Sequence, residues 1–141
     1  MLVRYSQSFR SYPMSVMSLA KSFSEQLTKR GIYLVVEVDI DIRMRKVCYT
    51  LIDDAGCPAV YEACAFDIIS SNLDGYRLLM EDDGDILLTP APIFEAGRHD
   101  FWDAYFDAPM NRERTLLENV LRDLSSREGI PAPILEHRGY V

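Results

Sequence analysis

Residues Ile32 to Ile42 read Ile-Tyr-Leu-Val-Val-Glu-Val-Asp-Ile-Asp-Ile, and this run decides the fold class. Val36, Val38, Ile40 and Ile42 alternate with Glu37, Asp39 and Asp41. Period two is the mark of a half-buried β-strand, so the aliphatics are expected on a core face and the three carboxylates in a row on a solvent face. Arg43 and Arg45 continue the outward phase, and the solvent face then runs from acid to base.

Upstream, Val16, Leu19, Ala20, Phe23 and Leu27 recur at steps of three and four. That spacing predicts an amphipathic helix over Met14 to Arg30, with Lys29 and Arg30 complementing the dipole in its last turn and Gly31 as its C-cap. Residues 1–13 show no sustained period and read as an N-terminal arm, which leaves Met1 and Met14 as alternative starts.

Downstream, Val47 to Ile52 is a second β-rich run, separated from the first by a turn around Arg43 to Lys46. Asp53-Asp54-Ala55-Gly56-Cys57-Pro58 is a turn cluster, and Val60 to Phe66 reads as a third strand. Asp67 to Asn72 either extends it or forms a short helix, ended at Asp74-Gly75. Tyr76 to Glu81 and Ile86 to Thr89 flank Asp82-Asp83-Gly84-Asp85 as the arms of a β-hairpin. Pro90 and Pro92 stop the second arm and direct the chain into a loop. Phe101, Trp102, Tyr105 and Phe106 fall at helical spacing within Arg98 to Asp107. Met110 to Arg127 is a longer helix that buries Leu116, Leu117, Val120, Leu121 and Leu124, with Gly129 and Pro131 as its terminators.

One helix, four or five strands with short connections and two further helices make an α+β domain. The sheet is expected to be antiparallel, with the C-terminal helices packed on one face. The division is an arm at 1–13, a single domain at 14–130 and a loose tail at 131–141. A chain of 141 residues with 48% hydrophobic content supports one core of ordinary size.

Charge is unevenly placed. Leu51 to Asp107 holds thirteen Asp or Glu against Arg77 and Arg98, a balance of −11, whereas residues 1–50 sum to +4 and residues 108–141 to zero. An acidic chain repels polyanions and steers cationic partners toward itself, so direct nucleic-acid binding is disfavoured. No stretch is apolar for the length a membrane span needs, and the N-terminus lacks the continuous apolar core of a secretory signal, so the expected location is cytoplasmic. Cys48, Cys57 and Cys64 fit no zinc framework and are expected to be reduced thiols packed as small hydrophobes; Cys57, in a turn, is the one placed for exposure.

No pattern for nucleotide, serine-hydrolase or zinc-protease chemistry occurs. Glu81 to Asp85 is too short a turn to wrap calcium, and Asp-Gly is what a tight turn selects in any case. His99 and Asp103 stand one helical turn apart and supply only two of the ligands a metal site needs. The expectation is therefore a non-enzymatic protein with no catalytic residue, no metal and no cofactor. Its predicted binding residues are Glu37, Asp39, Asp41, Glu81, Asp82, Asp83, Asp85 and Trp102, facing a basic protein surface. An inhibitor or immunity-type protein that mimics nucleic acid and occludes the groove of a nucleic-acid-binding enzyme fits this reading. The alternatives are a small chaperone or adaptor, for which a homodimer is a candidate assembly, and a metal-dependent hydrolase. The deciding question is whether the hairpin tip lies beside the acidic strand.

Overall fold

The alternating run forms the central strand. In the computed structural model, which describes residues 1–6, 26–107 and 111–136, it spans Ile32–Asp41 (β2). Lys46–Ile52 (β3) lies along one side of it, followed outward by Pro58–Glu62 (β4). Two strands share its other side. Leu2–Tyr5 (β1) pairs with the first half, Val3 opposite Tyr33, and Ile86–Pro90 (β7) pairs with the second, Asp39 opposite Leu87. Phe66–Ser70 (β5) flanks β1 and Tyr76–Met80 (β6) flanks β7, which completes a seven-stranded antiparallel sheet. Three helices follow: Ala91–Glu95 (α1), Arg98–Asp107 (α2) and Asn111–Glu128 (α3). The fold is α+β.

The described chain opens on a strand and not on a helix. Val3 and Tyr5, in the segment expected as an arm, are fully buried within the sheet. Most of the helix expected over Met14 to Arg30 falls outside the described residues. Its described end, Gln26 to Arg30, holds turns and no helix, and Arg30 rather than Gly31 takes the left-handed conformation, at φ 63°. The sheet exceeds four or five strands because β1 and β5 add a pair. A 3-10 turn at Ala63–Ala65 breaks what reads as one apolar run and carries the chain from β4 to the opposite edge. The loop expected after Pro90 holds α1, whose Pro92 sits in the first turn, where a missing N–H costs nothing.

A β-bulge corrects the face assignment of β2. Val35 stands opposite Leu51, and the next pair is Glu37 opposite Thr50, so Val36 is an extra residue on the β2 side. The insertion shifts the alternation by one. Val35 and Val38 share the face that carries Tyr5, Tyr33, Tyr49, Tyr61 and Phe66, while Leu34 and Val36 face Ile93, Phe101, Leu117 and Leu121. Both faces of the sheet are therefore apolar over much of their area. Glu37, Asp39 and Asp41 lie on the helix side, not on a bare solvent face.

The helix-side core is the one α3 was expected to supply. Leu117, Val120, Leu121 and Leu124 are buried and Leu116 is half-buried, as the spacing requires. Residues 131–136 were expected to be loose and are docked instead. Leu135 is 4% exposed in that same core, Arg114 donates to the carbonyls of Leu135 and Glu136, and the Glu136 N–H donates to the Gly56 carbonyl at 3.0 Å.

Candidate functional site: an acidic end on a buried anchor

The β6–β7 hairpin delivers Glu81, Asp82, Asp83 and Asp85 to the end of β2. Because Ile86 lies opposite Ile40, the turn must emerge beside Asp41, and the Ile42 N–H donates to Asp85 Oδ1 at 3.4 Å. Two acidic runs 43 residues apart thus meet in space. One oxygen each from Glu81, Asp83 and Asp85 falls within 4.8 Å of the others. Such a trio is a partial donor set for a hard cation, which would draw its remaining oxygens from water. Part of the acidity serves the turn itself, since Asp83 Oδ1 accepts the Asp85 N–H at 3.2 Å.

Asp39 registers the crowding. Burial raises its pKa from the ordinary carboxylate value, Arg98 opposes the rise, and the charges of Asp85, Glu81 and Asp41 add to it. A carboxyl whose folded pKa lies above its unfolded one contributes its stability fully below the unfolded value, and loses it as pH rises through the raised value. Asp39→Asn is therefore expected to raise the melting temperature at pH 7 by roughly 2 °C, the scale of a surface-charge change in a chain this size. The gain should vanish once the solution is acid enough to protonate Asp39 in the wild type. Paired melts of the two proteins across the acid range check both points.

Glu37 has a different role. It is 1% exposed, at the bulge, and its carboxylate accepts three hydrogen bonds: Thr89 Oγ1 at 2.7 Å on Oε1, and Arg98 Nε at 3.2 Å and Trp102 Nε1 at 3.1 Å on Oε2. Thr89 belongs to β7, and Arg98 and Trp102 to α2. The one carboxylate ties helix to sheet. A 220 Å³ recess opens above it, lined by Thr50, Arg98, His99, Trp102, Asp103 and Phe106 among others. Both oxygens of Glu37 are occupied by donors, so at the floor of this recess its carboxylate serves as a structural acceptor.

The predicted site residues therefore divide. Asp39, Asp41, Glu81, Asp82, Asp83 and Asp85 converge, and Glu37 and Trp102 form the anchor behind them. Reasoning from sequence missed Arg98, His99 and Thr89. Helical spacing pairs His99 with Asp103, but its Nε2 lies 3.0 Å from Glu81 Oε1, and the two side chains line a 430 Å³ hollow together with Leu79, Met80, Asp82 and Asp83. That partner comes from another element, and no spacing rule along the chain could disclose it.

Other carboxylates of the acidic stretch are spent inside the fold. Asp53, 8% exposed, accepts the N–H groups of Ala55 and Cys57, and Asp54 accepts the hydroxyls of Tyr33 and Thr28, both at 2.7 Å. Burial and the bond to Asp54 push the Tyr33 phenol up to about 12. Lys46 pairs with Glu62 at 2.8 Å. Cys48, Cys57 and Cys64 are half-buried thiols, and burial raises the pKa of Cys48 and Cys64, which lowers their reactivity. Among the described residues no helix is long and apolar enough to cross a membrane.

The chain matches no known family, no curated protein and no solved structure at a significant level. The geometry alone carries the functional reading.

Proposed function

We propose that this chain is a non-enzymatic binding protein whose acidic end, Asp39, Asp41, Glu81, Asp82, Asp83 and Asp85, docks on a cationic surface of a protein partner. The observation that carries the proposal is the convergence of the hairpin tip on the end of β2, which makes one charged surface out of two separate runs. Burial is the first cause of the raised pKa of Asp39, and the charges of Asp85, Glu81 and Asp41 add to it; a cationic partner relieves that like-charge contribution on binding. The groove of a nucleic-acid-binding enzyme is a surface of the required sign, and its occlusion is the inhibitory form of the proposal.

The test is capture from extract of the native host on the immobilised full chain, at low and high salt, beside a variant with Asp41, Asp82, Asp83 and Asp85 changed to Asn. The expected result is a protein recovered at low salt, released at high salt and lost by the variant. With that partner purified, the association rate should fall at least about tenfold in the variant, the lower end of what steering contributes. Equal recovery by the variant, or no recovery at either salt, would overturn the proposal.

A chaperone or adaptor reading rests on a separate observation, an exposed apolar strip on the sheet face away from the helices. Ile42, Val47, Leu78 and Met80 are 53%, 36%, 62% and 66% exposed, and cross-strand pairing through Ile40, Ile86 and Leu88 joins them. Client capture that persists in high salt and is lost in Leu78→Ser would favour it over the acidic reading.

A further inference from the structure

We infer that a second copy of this chain pairs with the β6 edge, antiparallel and centred on Leu79, to give a two-fold symmetric dimer with a sheet continuous across it. Among the described residues β6 pairs only with β7, so its outer edge presents unpaired main-chain groups. The parity of those groups follows from the bonds at the two ends of the strand. The Gly75 carbonyl accepts the Ala91 N–H and the Glu81 N–H donates to Asp85, so the odd-numbered residues bond inward toward the rest of the sheet. The N–H and carbonyl of Leu78 and of Met80 therefore point outward, where an incoming strand would meet them.

That parity and the side chains select one register. Self-pairing centred on Leu79 sets Leu78 of each copy opposite Met80 of the other, and those are the residues whose outward groups can exchange hydrogen bonds. Their side chains, 62% and 66% exposed, join the same apolar strip from both copies. On the helix side of the sheet Arg77 of each copy then faces Glu81 of the other. Arg77 makes no ion pair among the described residues, and it is one of only two basic residues in the whole acidic stretch. Two positions further out, the acidic tip at Asp83 approaches Gly75 of the other copy, over which the Arg127 guanidinium lies. Shifting the centre by one residue in either direction places Arg77 or Glu81 opposite Leu79, so the charges favour the register centred on Leu79. Asp39, Asp41 and Asp85 lie on the β2 side of the hairpin, away from this edge, and stay open to a partner.

Light scattering on the full chain after size exclusion tests the inference. The expected mass is twice the 16.2 kDa of one chain at high micromolar concentration. Arg77→Glu sets acid against acid, and Glu81→Arg sets base against base, so each variant alone should run at the monomer mass with its circular dichroism spectrum unchanged. Mixed in equal amounts, the two should recover the dimer mass, because every cross-copy pair in the mixture is of opposite sign. A wild-type chain that stays monomeric across the concentration range overturns the inference, as does a dimer indifferent to Arg77→Glu or a mixture that fails to recover.

Discussion

Glu37→Ala is expected to destabilise the protein by about 3–5 kcal/mol, the usual cost of removing one partner of a buried charge pair. The carboxylate is 1% exposed and satisfies three donors, and its removal leaves the Thr89 hydroxyl without its acceptor at a site that is 0% exposed. Arg98, with 19% of its side chain exposed, can turn partly to water, but the Trp102 indole N–H loses its bond as well. Each stranded polar group adds about 1–3 kcal/mol. Glu37→Gln keeps the shape and one acceptor oxygen and should cost less, about 1.5–3 kcal/mol, the worth of a hydrogen bond to a charged group. Urea titration checks the series: the midpoint should fall in the order wild type, Gln, Ala with little change in slope. Trp102 is the only tryptophan in the chain, so its emission reads directly whether α2 has lifted from the sheet. A Glu37→Ala midpoint within error of wild type would mean that the anchor contributes nothing.

Gly56→Ala should cost roughly 3 kcal/mol, through two separable effects. At φ 80° an alanine is strained by about 1–3 kcal/mol even in open space. Its Cβ would also lie 2.6 Å from the Glu136 nitrogen and 2.8 Å from the Ile134 carbonyl, both main-chain atoms that cannot swing aside. Relief requires the 134–136 segment to move, which breaks the Glu136 to Gly56 hydrogen bond and draws Leu135 from the core. A chain ending at Pro133 separates the effects. It is itself less stable, by the burial of Leu135, about 1.5–3 kcal/mol. In that background Gly56→Ala should cost only the strain, so the two changes together should fall short of their sum. Strict additivity would show that the tail does not rest on the turn.

Both predictions concern residues whose types were legible and whose roles were not. Glu37 stood in a correct strand, yet the alternation placed it in water. A bulge at Val36 has no signature in that run, since Val35, Val36 and Val38 suit either face, and one inserted residue exchanges the faces of everything after it. The hairpin was legible because Asp-Gly between two apolar runs has a local steric cause. Its neighbour was not, because adjacency of β7 to β2 pairs residues as far apart in the chain as Val38 and Leu88. The tail carried two prolines and a glycine and read as loose, whereas its docking depends on Leu135 finding a site made by α3 and the sheet. The strand at Leu2–Tyr5 was too short to show a period, and burial on both sides of the sheet defines it.

The sequence by itself determined the α+β class, the antiparallel pairing, the aromatic and leucine-rich helices and the acidity of the hairpin turn. Each follows from spacing, from turn stereochemistry or from charge within a few residues of chain. Only the tertiary structure decided that Glu37 is a buried anchor, that His99 meets Glu81, and that Asp39, Asp41 and the hairpin carboxylates share one end of the molecule. Those facts depend on strand order and on a shift of one residue in register. Such long-range pairings are selected by the whole core at once, and no single stretch of sequence encodes them.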